Sequence, residues 1–133
     1  MAVSLLLQLK QAERRIELGL LPLLEEFELT IEQWRVMSAL HEEPGQPMTT
    51  LAENAVLPPA SLTRHVDKLV ERGLVLRRIH HDDRRRVVAA LSPVGLTVAS
   101  RISGEEQRIA PAALADSAEP RLTELLPDGN TRP

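Results

Sequence analysis

Four breaks crowd the middle of the chain: Pro44-Gly45, Leu57-Pro58-Pro59, Gly73 and Ser92-Pro93. Proline lacks an N–H and glycine favours the left-handed conformation that closes helices, so regular elements tend to stop at such points. The segments between them must be short, and each shows its type by its own periodicity.

Thr30 stands three residues before Gln33, the spacing of a capping box, with Leu29 and Trp34 placed as a hydrophobic staple. Trp34, Met37 and Leu40 recur at helical steps, which predicts a helix to about Glu43. Gln46-Pro47 reads as a loop. A short helix is predicted over about Met48–Val56, with Leu51, Ala52 and Ala55 inward. Pro59 suits the first turn of the next helix, where a missing N–H costs nothing. That helix runs to about Arg72, with Gly73 as its cap. Leu62, Val66, Leu69 and Val70 form its buried stripe, which leaves Ser61, Arg64, His65 and Lys68 on the opposite face.

After Gly73 the period changes. Leu74–Ile79 and Val87–Leu91 are β-type runs on either side of HHDDRRR, residues 80–86, and predict a hairpin with a long tip. Ser92 then caps a helix with Pro93 at its first position, running to about Ile109. At the amino end, Leu5, Leu9, Ala12, Ile16 and Leu20 predict a helix over residues 3–20, interrupted by Pro22. Pro111, Pro120 and Pro127 cut the tail into two short helices around Leu114 and Leu122–Leu126, with a frayed end from Pro127.

At 133 residues the chain suffices for one domain around one core. Trp34 and Phe27 are its only aromatics, so the core must be built of Leu, Val, Ile and Ala, as in packed helices. The absence of cysteine excludes disulfides and zinc–thiolate sites. Leu5–Leu7 is too short for a membrane span before Lys10 arrives and lacks the layout of a signal peptide. A cytoplasmic protein without a membrane partner is expected.

Net charge is −3, yet Pro58–Arg86 carries eight Lys/Arg against four acids, a local +4 that leaves −7 for the rest. Such asymmetry marks one basic face on an acidic body. The order of pieces gives that face a use. A short helix turning into a basic-faced helix is a helix-turn-helix, whose second helix enters the major groove of DNA, and the hairpin after it is a wing. The expected fold is mainly α with a small β-hairpin (α+β), a winged helix-turn-helix with flanking dimerisation helices. The expected parts are an N-terminal dimerisation helix over 1–28, a DNA-binding domain over 29–93 and C-terminal dimer helices over 94–133. Ser61, Thr63, Arg64, His65 and Lys68 should face the major groove, and Arg78 a phosphate. Arg84, Arg85 and Arg86 should serve the minor groove and its flanking phosphates, because that narrow, electronegative groove attracts arginine. Asp83 is placed to take a forked hydrogen bond from Arg85 and orient it.

Three stretches carry a family resemblance: LTIEQWRVMSAL, TTLAENAVLPPASLTRHVDKLVERGLV and DDRRRVVAALSPVG. Together they resemble the MarR family of winged helix-turn-helix regulators over about Leu29–Ser100. The specific features are a recognition helix ending in RGLV, a D-x-R pair (here Asp83 and Arg85) before a strand, and an L-S/T-x-x-G helix start. The resemblance implies homodimeric, cytoplasmic regulators, repressors or activators, on pseudo-palindromic operators, relieved in many members by small, often aromatic, effectors. Two departures stand out. Pro58 replaces the usual Ser or Thr cap of the recognition helix, and a proline-broken tail replaces a long final helix. Repression is the expected direction here, with Leu5, Leu6, Leu7 and Leu9 as spare apolar surface for a second copy.

Other readings compete. A winged helix can serve as a protein–protein docking module, although such a module does not need a cationic hairpin. His80 and His81 beside Asp82 and Asp83 suggest a metal-sensing repressor, although adjacent strand residues point to opposite faces. No catalytic set is assembled: Ser61 and His65 lie one turn apart with no third partner. No glycine-rich phosphate loop is present. Neither an enzyme nor a cofactor is expected. His41 reads as a surface residue and Trp34 as core, near where ligand pockets of this fold lie.

Overall fold

A computed structural model describes residues 3–80 and 82–117. In chain order it contains α1 (Leu5–Glu26), α2 (Ile31–Glu42), β1 (Gln46–Pro47), α3 (Met48–Ala55), α4 (Pro59–Glu71), β2 (Val75–His80), β3 (Asp83–Leu91) and α5 (Pro93–Ser117). It divides into two compact units, one formed by Leu23–Ser103 and one by the two terminal segments.

The Leu23–Ser103 unit grows from its caps. Thr30 and Gln33 make the reciprocal capping box: the Gln33 N–H donates to Thr30 Oγ1 at 3.1 Å, and the Thr30 N–H to Gln33 Oε1 at 3.0 Å. Helix α2 packs on α3 and α4, and α4 packs on β2. Trp34, Met37, Leu40, Leu51, Leu62, Val66, Leu69, Val75 and Ala89 are among the buried side chains. Each large one contributes about 1.5–3 kcal/mol by leaving water. Trp34 is therefore core, as its place on an apolar stripe suggested.

Gln46-Pro47 is a strand and not a loop. It pairs with Ala89 and Val88, making a three-stranded antiparallel sheet of order β1-β3-β2. Pro47 is tolerated because β1 is an edge. Gln46 is fully buried. Its Nε2 donates to Ala39 O and Glu43 O, both at 2.7 Å, and its Oε1 accepts from Asn54 Nδ2 at 2.9 Å. One amide thus closes the end of α2 and ties it to α3.

Two expected breaks do not occur. Helix α1 continues through Pro22, and α5 runs through Pro111 to Ser117. An interior proline costs about 3 kcal/mol or more. Leu20 and Leu24, both buried, flank Pro22 and offset that cost at about 1.5–3 kcal/mol each. Around Pro111, Ala113 is buried and Ile109 lies against α1 at Gly19, where an added Cβ would stand 2.6 Å from Ile109 Cδ1. The expected helix around Leu122–Leu126 and the frayed end lie outside the described residues. Among the described residues no helix is long and apolar enough to cross a membrane.

Candidate nucleic-acid interface

Helix α4 is strongly two-sided. Leu62, Val66 and Leu69 are buried, whereas Thr63, Arg64 and Lys68 are exposed and Ser61 is half-buried. Arg64 Nη2 donates to Ser61 Oγ at 3.3 Å, one turn back, which holds the guanidinium along the open face. Thr63 donates to Pro59 O at 3.1 Å, so its hydroxyl keeps lone pairs for an outside donor. His65 departs from expectation: it is half-buried, and its Nδ1 is buried without a hydrogen-bond partner. Only the Nε2 edge of that ring remains to meet a ligand.

Two arginines of the basic segment hold the protein together. Arg72, at the end of α4, donates to Glu28 O at 2.6 Å and Phe27 O at 2.5 Å, and so clamps the turn between α1 and α2, where Glu28 has a φ of 55°. Arg77 on β2 pairs with Asp67 on α4 at 2.6 Å, fastening the wing's root to the recognition helix. Strand parity supplied part of that signal, since Arg77 shares a face with the buried Val75. The ten-residue separation hid the rest.

The wing differs from a long loop. Strand β3 begins at Asp83, so the arginines belong to a strand. Its register carries the more important feature. Ile79 lies opposite Val87, yet the next residue, His80, lies opposite Asp83. Arg84, Arg85 and Arg86 are therefore extra residues in a bulge of β3. A bulge bends its strand and re-aims its side chains. Arg86 and Arg78 are exposed. The Asp83–Arg85 fork, the side-chain roles of Arg84 and Arg85, and the His80–His81 metal alternative fall on side chains outside the described part of the structure. Among the described residues no cluster of His, Cys, Asp and Glu could hold a metal ion.

The wing is joined to the next helix by a contact that only glycine permits. Ser92 Oγ donates to Gly73 O at 2.6 Å and accepts the Gly95 N–H at 2.9 Å, capping α5. A Cβ at Gly95 would stand 2.0 Å from Leu74 O. The S-x-x-G spacing thus records a close approach of α5 to the backbone that enters β2.

This arrangement recurs in known proteins. The MarR family profile matches residues 29–87. An uncharacterized HTH-type transcriptional regulator of Bacillus subtilis, YhbI, is 39% identical over 54% of this chain, which spans only 47% of that relative's length. Transcriptional regulator HosA of Escherichia coli O111:H- is 34% identical, covering 62% of this chain and 72% of its own. The homoprotocatechuate degradative operon repressor of Escherichia coli is 29% identical, over 97% and 92% of the two chains. Among solved structures, NadR in complex with 4-hydroxyphenylacetate superposes with a TM-score of 0.78 at 27% identity, over 93% of this chain and 88% of that one. The chain belongs to the MarR family of DNA-binding transcriptional regulators.

Proposed function

We propose that this protein is a cytoplasmic homodimeric repressor of a pseudo-palindromic operator, released by a small aromatic acid. One observation carries the DNA assignment: the exposed polar face of α4 and the arginine bulge of β3 belong to the same compact unit, fastened by Arg77–Asp67. In this reading Ser61, Thr63, Arg64 and His65 meet base edges in the major groove. Lys68 and Arg78 meet phosphates, and Arg84, Arg85 and Arg86, with Asp83 orienting Arg85, enter the adjacent minor groove. Phosphate contacts supply affinity and salt dependence, and base contacts supply selectivity.

Repression is supported by the relative named as an operon repressor, and an aromatic acid by the neighbour bound to 4-hydroxyphenylacetate. The dimer is supported by apolar surface near the amino end. Val3, Leu5, Leu6, Leu7 and Leu9 are exposed, Leu6 at 71%. A run of this kind marks an interaction site.

The test is selection of duplexes from a random pool by the full chain at near-physiological salt. A two-fold symmetric motif is the expected product, and its half-site spacing reports the dimer's geometry. Titrating 4-hydroxyphenylacetate into that complex should release the duplex. Retention of DNA only at low salt, without a motif, would overturn the operator assignment.

A further inference from the structure

The start of α4 has no cap of its own. Pro58 occupies the N-cap position and makes no side-chain hydrogen bond to the helix. The turn before it is strained. Val56, β-branched and 75% exposed, sits at φ 57° and ψ 55°, in the left-handed region. Such a residue is a conformational outlier that its surroundings must enforce, and little packing reaches this one.

Beyond the turn's own backbone bonds, from the Val56 N–H to Glu53 O at 3.1 Å and from the Leu57 N–H to Ala52 O at 3.0 Å, what reaches it is Arg35 of α2. Its Nε donates to Ala55 O at 3.0 Å, and its Nη2 donates to Val56 O. Carbonyls at the end of a helix have no partner within it, and they carry the negative end of the helix dipole. A guanidinium answers both needs, and its rigid planar fork sets angle as well as distance. Arg35 itself is anchored beside Trp34 and Val36, both buried on α2.

We propose that Arg35 is a positioning residue for DNA recognition: it holds the Ala55–Val56 turn and thereby sets the first turns of α4, which carry Ser61 and Arg64. Helix-turn-helix proteins read bases from the N-terminal part of the recognition helix, where a small tilt displaces every reading group. Arg35 fixes the approach to α4 from outside that helix, through the carbonyls that close α3. This assignment rests on the DNA reading above.

The experiment uses the full chain in four forms: wild type, Arg35→Gln, Arg35→Lys, and Arg35→Gln combined with Pro58→Ser. Each is titrated against the selected operator and a scrambled duplex of equal length, well below its thermal midpoint. Arg35→Gln should lose about tenfold in operator affinity, the scale of a missing helix cap. Its affinity for the scrambled duplex and its salt slope should stay unchanged. Arg35→Lys keeps the charge without the fork and should lose operator affinity as well; it supplies the same comparison if the Gln variant does not fold. Pro58→Ser installs a cap able to accept the Ser61 N–H and should restore operator affinity to the Gln variant. Equal losses on both duplexes would overturn the assignment in favour of a general role in stability. So would an unchanged operator affinity, or a loss that Pro58→Ser does not repair. A wild-type chain without operator preference would instead overturn the DNA reading, before any variant is compared.

Discussion

At the scale of single residues, the proposed interface draws on positions whose chemistry differs although their charge does not. Arg64 lies along the open face of α4, held by Ser61, and its fork suits a guanine edge. Replacing it with alanine should cost about 1–3 kcal/mol of operator binding and relax the preference at one base position. Lys68 is a point charge. Its loss should weaken every duplex alike and lower the salt slope by about one. Binding to a panel of single-base operator variants, with a salt titration, separates the two; a uniform loss for Arg64→Ala would remove it from base reading. Gly95 marks the other extreme, a residue chosen for having no side chain. Its would-be Cβ faces the Leu74 carbonyl at 2.0 Å, and a backbone oxygen cannot swing aside. Gly95→Ala should destabilise the fold by about 1–3 kcal/mol, the usual penalty of overpacking, read as a lower urea midpoint.

At the scale of elements, the wing arginines lie in a strand although their residue types suggest a loop tip. The seven-residue run 80–86 reads as a tip because it is wholly polar and separates two β-type apolar runs. The pairing instead resumes at His80–Asp83, and the excess length is taken up as a bulge of arginines. The composition makes this run cationic, but register depends on partners across the sheet and is not written locally. Arg86→Ala should lower the salt slope of binding by about one while leaving stability within about 0.5 kcal/mol, as suits an exposed residue. The Arg77–Asp67 pair is partly exposed, and such pairs contribute about 0.2–1 kcal/mol. Asp67→Asn should therefore shift the urea midpoint little. Its expected effect lies in the wing, as faster amide exchange along β2.

At the scale of the whole molecule, Leu5, Leu6, Leu7 and Leu9 are more apolar surface than one short helix needs, and they are exposed in the terminal unit. With the proposed dimer joined through this surface, a charge there should separate the copies: Leu6→Glu is expected to sediment as a monomer and to lose affinity for a two-fold operator far more than for a single half-site. A Leu6→Glu chain that remained dimeric would move the interface elsewhere. The surplus of Leu5, Leu6, Leu7 and Leu9 is legible because consecutive leucines exceed what one helical stripe can bury, which needs no tertiary information. The continuity of α1 and α5 is not, because a proline's local cost is overruled only by burial on both sides of it.

Taken alone, the sequence determined the caps, the succession of helix-turn-helix and hairpin, the apolar stripe of α4 and the basic character of the wing. All of these follow from residue type and short-range spacing. Only the tertiary structure decided which cations are available to a partner. Arg72 and Arg77 are spent inside the protein, His65 turns one nitrogen inward, and Arg35, outside the basic segment altogether, grips the turn that leads into the recognition helix. Formal charge belongs to the residue, but whether that charge meets a carbonyl, a carboxylate or the outside is set by elements that the chain brings together from far apart.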